Sequence, residues 1–147
     1  MRLWVTAGLL AFHVGPALAQ SASIDRAAAE AAVAWRHHDI RALLATSPRI
    51  LVQLPHANPS SALSRMQATE VLRDYLAGGA EIDVTVRGAR EVRPGVGYAE
   101  LTRRYRVAGT DEQREVTLLL SFRRGPDGWE LVELRVVGGG DGEMPRP

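Results

Sequence analysis

Two histidines and an aspartate stand side by side in this chain, at His37, His38 and Asp39. A helix fans three adjacent side chains apart, whereas metal ligands on a helix need wider spacing, such as i and i+4. His56 stands alone in a proline-rich segment and completes no site. The pattern therefore predicts no metal site and no cofactor, and it leaves acid–base chemistry at His38 as the one catalytic hypothesis.

An arginine interrupts an apolar face in the segment from residue 98 to 107. In an extended strand, Arg103 lies at the centre of a set formed by Ala99, Leu101, Tyr105 and Val107. A buried guanidinium needs a carboxylate, carbonyl groups, a water-lined cavity or a bound anion. Two alternatives follow. Arg103 forms an internal ion pair or extends to the sheet edge, or it lines a ligand pocket with Tyr105.

Three helices are predicted to position these residues. The first carries an apolar stripe that His38 continues toward the interior, formed by Ile24, Ala28, Ala31 and Trp35. Asp39 is a candidate N-cap for a short second helix that Pro48 ends. Ser64 and Gln67 resemble a capping box, which predicts a third helix that ends at Gly78.

After Gly79 the apolar period changes to two, which predicts four strands joined by short turns. A short strand is also predicted at 50–54. Helices followed by an antiparallel meander indicate an α+β fold, with the N-terminal helices packed on a curved antiparallel sheet. In the first long strand Ile82, Val84 and Val86 alternate with Glu81 and Asp83, and no inward carboxylate is expected in the best-assigned strands. One domain is predicted over 20–137, and a disordered polar tail over 138–147.

The last strand predicts an apolar patch on the outside of the sheet. If Val132, Leu134 and Val136 face inward, Trp129 and Leu131 face outward, together with Leu119 of the preceding strand. Exposed apolar patches of this kind mark partner surfaces. These three residues are therefore the predicted interface of a homodimer; the alternative is that the tail or a loop covers them.

The N-terminal residues 1–19 have the layout of a secretory signal peptide. A basic residue, Arg2, precedes an apolar run of about ten residues, shorter than the roughly 17–25 of a membrane span. Pro16 precedes the small-x-small site Ala17-Leu18-Ala19, which predicts cleavage near Ala19-Gln20. The mature protein is expected to be exported, periplasmic or secreted, without a membrane span.

Composition narrows the function further. The chain has no cysteine, which excludes disulfides, thiolate metal sites and cysteine nucleophiles. Every basic residue is arginine, and removal of Arg2 leaves 17 basic against 17 acidic residues. This balance favours neither nucleic acid nor an acidic membrane as a partner. Gly95-Val96-Gly97 joins two strands instead of preceding a helix, so it is no phosphate-binding loop.

In the order of its elements, the chain resembles the nuclear transport factor 2-like superfamily, the cystatin-like α+β cone, over about residues 23–137. The stretches SRMQATEVLRDYL at 64–76 and VTLLLSFRRGPDGWELVELRVV at 116–137 resemble an uncharacterised family of exported bacterial domains. The resemblance implies a sheet wrapped around a helix, a pocket open at one end and, in many relatives, a dimer formed through the sheet. It implies no single activity, because this cone serves enzymes, transport factors and scaffolds alike.

Three classes of function remain open. The first is a non-enzymatic module that binds a small apolar or anionic ligand, or a protein partner, in a pocket formed by Trp35, His38, Arg103 and Tyr105. The second, suggested by relatives, is an isomerase- or dehydratase-like enzyme in which His38 is the acid–base residue and Tyr105 and Arg103 stabilise negative charge. In the simpler alternative, His37 and His38 occupy the turn between two helices. The third class is a structural homodimer.

Overall fold

The computed structural model describes residues 23–138. The predicted signal peptide and its cleavage site lie outside the described residues, and so does the predicted tail beyond Gly138. No helix within the described range is long and apolar enough to cross a membrane.

The described chain contains three helices, α1 (Ile24–Arg36), α2 (Ile40–Leu43) and α3 (Arg65–Ala77), and two short strands separate α3 from the first two. The N-termini of α2 and α3 are capped by the residues that the sequence predicts. The Asp39 side chain accepts a hydrogen bond from the Ala42 amide. Ser64 and Gln67 form the complete reciprocal capping box. These caps satisfy amides that would otherwise lack a partner, so the helix starts are determined locally.

Six strands form one curved sheet, in the order β2-β1-β6-β5-β4-β3. Strands β3 to β6 form the predicted antiparallel meander, whereas β1 pairs with β6 in parallel and with β2 antiparallel. The strand bounds are β1 (Arg49–Gln53), β2 (Leu63–Ser64), β3 (Gly79–Arg93), β4 (Val96–Val107), β5 (Gln113–Gly125) and β6 (Gly128–Gly138). The predicted α+β class and its arrangement of helices on a curved sheet are confirmed.

The core lies between the helices and one face of this sheet. Trp35 of α1 is the largest fully buried side chain. The leucines packed in the same core come from α3 and from the central strands, and include Leu72, Leu76, Leu101, Leu118, Leu120 and Leu134. Full burial of a side chain of this size contributes about 1.5–3 kcal/mol, so this apolar face holds the helices on the sheet.

A β-bulge in β6 reverses the predicted faces of the first half of that strand. Phe122 pairs with Leu131 while Ser121 pairs with Glu133, so Val132 is the extra residue on its strand. Leu131 is therefore 2% exposed and lies in the core, on the same side as the inward residues after the bulge.

The bulge overturns the predicted dimer patch. Trp129 is 6% exposed and belongs to the core with Leu131, so the prediction that both face outward is wrong. Leu119 stays half-buried on the other face, without these two neighbours. A strict alternation of two assigns faces correctly only while no residue is inserted. The homodimer stays a prediction, but it loses the patch that motivated it.

A second bulge lies in β3 and determines the functional site. Glu81 pairs with Tyr105 and Asp83 with Arg104, so Ile82 is extra. The insertion turns the Glu81 side chain into the interior, where it is 5% exposed. The predicted alternation, which placed Glu81 on the face opposite Val84, is therefore wrong for Glu81.

Candidate functional site

A buried ion pair occupies the centre of the domain. Arg103 of β4 is 1% exposed. Its Nε atom donates to both carboxylate oxygens of Glu81, at 2.9 and 3.1 Å, and its Nη2 atom donates to Oε1 as well. The ion-pair alternative for Arg103 is thus the one that the structure contains. Charge-assisted hydrogen bonds of this kind offset the cost of removing two charges from water.

Three aromatic rings surround the guanidinium and form what we call the aromatic cage: Trp35, Tyr75 and Tyr105. The Cζ atom of Arg103 lies 3.9 Å from the ring centroid of Tyr105, 5.2 Å from that of Tyr75 and 5.7 Å from that of Trp35. Trp35 and Tyr75 meet edge to face, with centroids 6.4 Å apart. The ring faces attract the cation, and such contacts are worth about 2 kcal/mol or more when they are desolvated.

Each member of the cage comes from a different part of the fold. Trp35 is in the last turn of α1, Tyr75 is in the last turn of α3, and Tyr105 is in β4, two residues after Arg103. Gly79, at the start of β3, leaves room for the Tyr105 ring, because a Cβ atom there would collide with it. The cage therefore requires α1, α3, β3 and β4 to pack together.

His38 reaches the ion pair from its other side. Its Nε2 atom lies 3.0 Å from Glu81 Oε1, and its side chain is 34% exposed. His38 lies in the turn after α1, which is the position that the simpler alternative from the sequence predicted. Its φ of 54° is left-handed. It opens to a separate hollow that Arg41 and Arg73 also line.

The cone-mouth hollow, as we name it, has a volume of about 1210 Å³. Its walls are the ends of β1, β4–β5 and β6, at 53–56, 112–116 and 135–138, and its aromatic members are Tyr75 and Tyr105. The charged lining residues balance: Glu112 binds Arg114 at 2.7 Å, and Glu115 and Arg135 add one charge of each sign. The hollow therefore combines an aromatic wall with a polar rim of no net charge.

The structure brings the four predicted pocket residues together but places only Tyr105 at the cone-mouth hollow. Trp35 and Arg103 are buried in the cage, and His38 opens elsewhere. These three residues therefore do not line this hollow, and their pocket role stays a prediction. Two members of the site, Tyr75 and Glu81, were not predicted. Tyr75 had a signal in the sequence, since it is the aromatic residue on the apolar stripe of α3.

Two donors of the cage have no acceptor within residues 23–138: the Tyr75 hydroxyl and the Trp35 indole Nε1. Leaving a buried donor without a partner costs about 1–3 kcal/mol, and such groups usually bind water or a ligand atom. Burial raises the pKa of Tyr75, and the positive charge of Arg103 opposes part of that rise. Tyr75 is thus a neutral donor at neutral pH, on the wall of the cone-mouth hollow.

Metal ligation has no cluster to support it in the described part of the chain. No group of three histidine, aspartate or glutamate side chains there is close enough to hold an ion.

Solved structures with the same architecture are similar along most of this chain. A ketosteroid isomerase-like protein from Erwinia carotovora atroseptica has a TM-score of 0.65 at 15% identity, covering 81% of this chain and 95% of that one. A DUF4783 family protein from Bacteroides uniformis has a TM-score of 0.61 at 10% identity, covering 75% and 94%. An NTF-2 like protein of unknown function from Shewanella oneidensis has 0.58 at 8%, covering 77% and 94%.

The chain has the nuclear transport factor 2-like fold. The predicted resemblance to this cone is confirmed by structure alone, since no family model matches the sequence and no curated protein matches it. The nuclear transport factor 2-like fold serves unrelated activities, so function has to be argued from the site.

Removing one partner of the buried ion pair should destabilise the domain strongly. We expect Arg103→Met to lower the free energy of unfolding by about 3–5 kcal/mol, because it leaves the Glu81 carboxylate buried without its cation. The double variant Arg103→Met/Glu81→Gln should regain most of that loss. Urea denaturation of the wild type, the two single variants Arg103→Met and Glu81→Gln, and the double variant measures the coupling.

The exposed pair Arg26–Glu30 is the matched control, with both side chains more than 60% exposed. Arg26→Met should change the free energy of unfolding by no more than about 0.5 kcal/mol. Additive losses in the Arg103/Glu81 double variant would contradict the proposed coupling.

Tyr75 should make stability fall at alkaline pH. Because its pKa is raised in the folded state, its contribution is complete below its unfolded pKa of about 10 and is lost as pH rises through the folded value. Tyr75→Phe should reduce the loss of unfolding free energy between pH 9 and pH 11. Tyr98→Phe, at a 47% exposed position, is the control and should leave that loss unchanged. Equal pH dependence of the wild type and Tyr75→Phe would refute this role.

Proposed function

We propose that this domain is a non-enzymatic binding module that holds a neutral, amphipathic small molecule in the cone-mouth hollow. The single observation that carries the proposal concerns Tyr75: its side chain lines the hollow, and its buried hydroxyl has no acceptor within residues 23–138. A ligand oxygen would accept its hydrogen bond while the ligand's ring packs on Tyr75 and Tyr105. Pockets that combine an aromatic wall with a few polar groups typically bind such molecules.

A neutral ligand fits better than the anionic one that the sequence also suggested. The charge of Arg103 is already matched by Glu81, and its side chain is 1% exposed. The charged residues of the rim balance one another. The described lining of the hollow therefore offers no net positive charge to compensate an anion for its lost hydration.

Binding without catalysis is favoured by where the acid–base groups lie. His38 lines another hollow. Glu81 does not line the cone-mouth hollow, and its oxygens already accept hydrogen bonds from Arg103. The alternative enzyme, with His38 acting beside Tyr105 and Arg103, would lack its acid–base residue in this hollow. One similar structure is a ketosteroid isomerase-like protein, but at 15% identity the similarity concerns the fold alone.

We further propose that the domain acts outside the cytoplasm after its signal peptide is removed. The apolar run and the small-x-small site of residues 1–19 support this proposal.

A neutral ring ketone should bind the cone-mouth hollow. We expect 1-indanone, whose polar atom only accepts hydrogen bonds, to bind more tightly than indane-1-carboxylate in a nuclear magnetic resonance (NMR) titration. Its shifts should centre on Tyr75 and Tyr105. Tyr75→Phe should weaken 1-indanone binding about fivefold, the effect of losing one hydrogen bond of about 1 kcal/mol.

Two glycines supply matched blocking variants. An added Cβ at Gly138 or at Gly88 meets no atom within 4 Å, but only Gly138 lines the hollow. Gly138→Phe should therefore abolish 1-indanone binding, and Gly88→Phe should leave it intact. Tighter binding of the carboxylate, or equal binding by both glycine variants, would reject the proposal.

Export should be visible in the N-terminus of the mature protein. When the full chain is produced in a bacterium, we expect the envelope fraction to contain protein that begins at about Gln20, by intact mass. Ala19→Arg should block cleavage because the site requires a small residue. Ala62→Arg, at an exposed position of the domain, should be processed normally. Full-length cytoplasmic protein in all three cases would overturn the export proposal.

A further inference from the structure

Another hollow, separate from the cone-mouth hollow, lies between α1, α2 and the β5–β6 turn. We call it the helix cleft; its volume is about 740 Å³. The helices contribute mainly short side chains to its walls: Ala27, Ala29, Ala31, Ala34, Ala42 and Ala45. Its floor is large and apolar, formed by the core residues Phe122, Trp129 and Leu131. The cleft exists because alanine side chains are too short to fill the space above these rings.

The β6 bulge creates the apolar floor. Without the extra residue Val132, Trp129 and Leu131 would face the other side of the sheet. At the edge of the cleft, Val33 is 59% exposed, although it is a large apolar residue on a helix that otherwise buries its apolar face. An apolar group bound here would remove this side chain from water.

The rim of the helix cleft is acidic. Its lining carries three carboxylates, Glu30, Asp39 and Asp127, against the guanidinium of Arg26 and the imidazole of His37. Arg26 binds Glu30 at 2.8 Å, and Asp39 caps α2. Asp127, in the β5–β6 turn, has no ion pair or hydrogen bond among residues 23–138. The unbalanced charge at this rim is therefore negative.

Arg124, which contacts the floor of the cleft from outside its lining, already has other partners. Arg124 stacks on the Trp129 ring, with its Cζ atom 4.5 Å from the centroid, and lies 3.9 Å from Glu91. It is absent from the residues that line the cleft. Its contact with Trp129 also shows that this ring accepts a cation on one face.

We propose that the helix cleft is a second binding site, for small organic cations that carry an apolar body. The body would lie on the floor of Trp129 and Leu131 between the alanines, and the positive end would lie at the rim near Asp127. Charge complementarity selects this occupant over a second copy of the chain, because a two-fold contact through the cleft would bring the two acidic rims together.

Three probes with one body and different charges test the proposal. They are 4-phenylbutylammonium, 4-phenylbutanol and 4-phenylbutyrate, titrated into the mature protein and followed by NMR. We expect the ammonium to bind about fivefold more tightly than the alcohol at low salt, and the carboxylate to bind most weakly. Shifts should centre on Trp129 and α1, and added salt should remove the advantage of the ammonium.

Asp127→Asn separates charge from shape. Asparagine is a good turn residue, so the β5–β6 turn should persist. The variant should bind the ammonium no more tightly than the alcohol, while its affinity for the alcohol is unchanged. An undiminished preference for the ammonium in this variant would overturn the role of Asp127 and, with it, the proposed cation site.

Ala29→Trp tests the position of the site. Ala29 is exposed and lines the cleft, so a large side chain there should block all three probes. Ala77→Trp, at an exposed alanine of α3 outside the cleft, should bind as the wild type does. If Ala29→Trp instead converts a dimer to a monomer in sedimentation, the cleft holds a second copy and the proposal is wrong.

The cone-mouth variant Gly138→Phe keeps the two sites distinguishable. It should abolish binding of 1-indanone and leave binding of 4-phenylbutylammonium unchanged, because Gly138 does not line the helix cleft. Loss of ammonium binding in Gly138→Phe would place the cation at the cone mouth and refute the second site. Absence of binding by all three probes at millimolar concentration would refute it as well.

Discussion

The ion pair between Arg103 and Glu81 is the interaction on which the interior of this domain depends. A guanidinium that is 1% exposed has no water to solvate it, so the carboxylate must reach it inside the fold. This requirement explains the bulge in β3, which turns Glu81 inward. The rings of the aromatic cage cover what the carboxylate leaves open, and Gly79 gives one of those rings its place.

The same pair leaves no room for the proposed binding site at the centre of the cone. Arg103, Glu81 and the cage rings fill the middle of the domain, so the space for a ligand lies at the mouth. The charge of Arg103 is already paired with Glu81, whereas the Tyr75 hydroxyl has no acceptor among residues 23–138. The preference of the cone mouth for a neutral ligand, as proposed, therefore follows from the pairing of Arg103 with Glu81 in the interior.

The small alanine side chains of α1 determine the shape of the surface at the helix cleft. Alanines of α1 pack closely on the sheet on one side, with Ala28 fully buried, and leave the helix cleft open on the other. The two hollows differ in charge because their rims come from different elements. Acidic and basic side chains at strand ends surround the cone mouth. The cleft is surrounded mainly by carboxylates from α1, from the N-cap of α2 and from the β5–β6 turn.

By itself, the sequence determined the features that depend on neighbours along the chain. Asp39 and Ser64 cap their helices through bonds to residues three positions away, and the order of helices and strands implied the α+β class. The same local logic identified Arg103 as a buried charge that needs an explanation. It could not choose between an ion pair and a pocket, because that choice depends on a partner 22 residues away.

Only the tertiary structure decided which side chains share a face after a bulge. An inserted residue, such as Ile82 or Val132, reverses the alternation that follows it, and a period-two pattern contains no mark of the insertion. Glu81 and Trp129 were assigned to the wrong face for this reason. The bulges arise because two strands, packed on helices, must satisfy one register, and that constraint exists only once the strands have met.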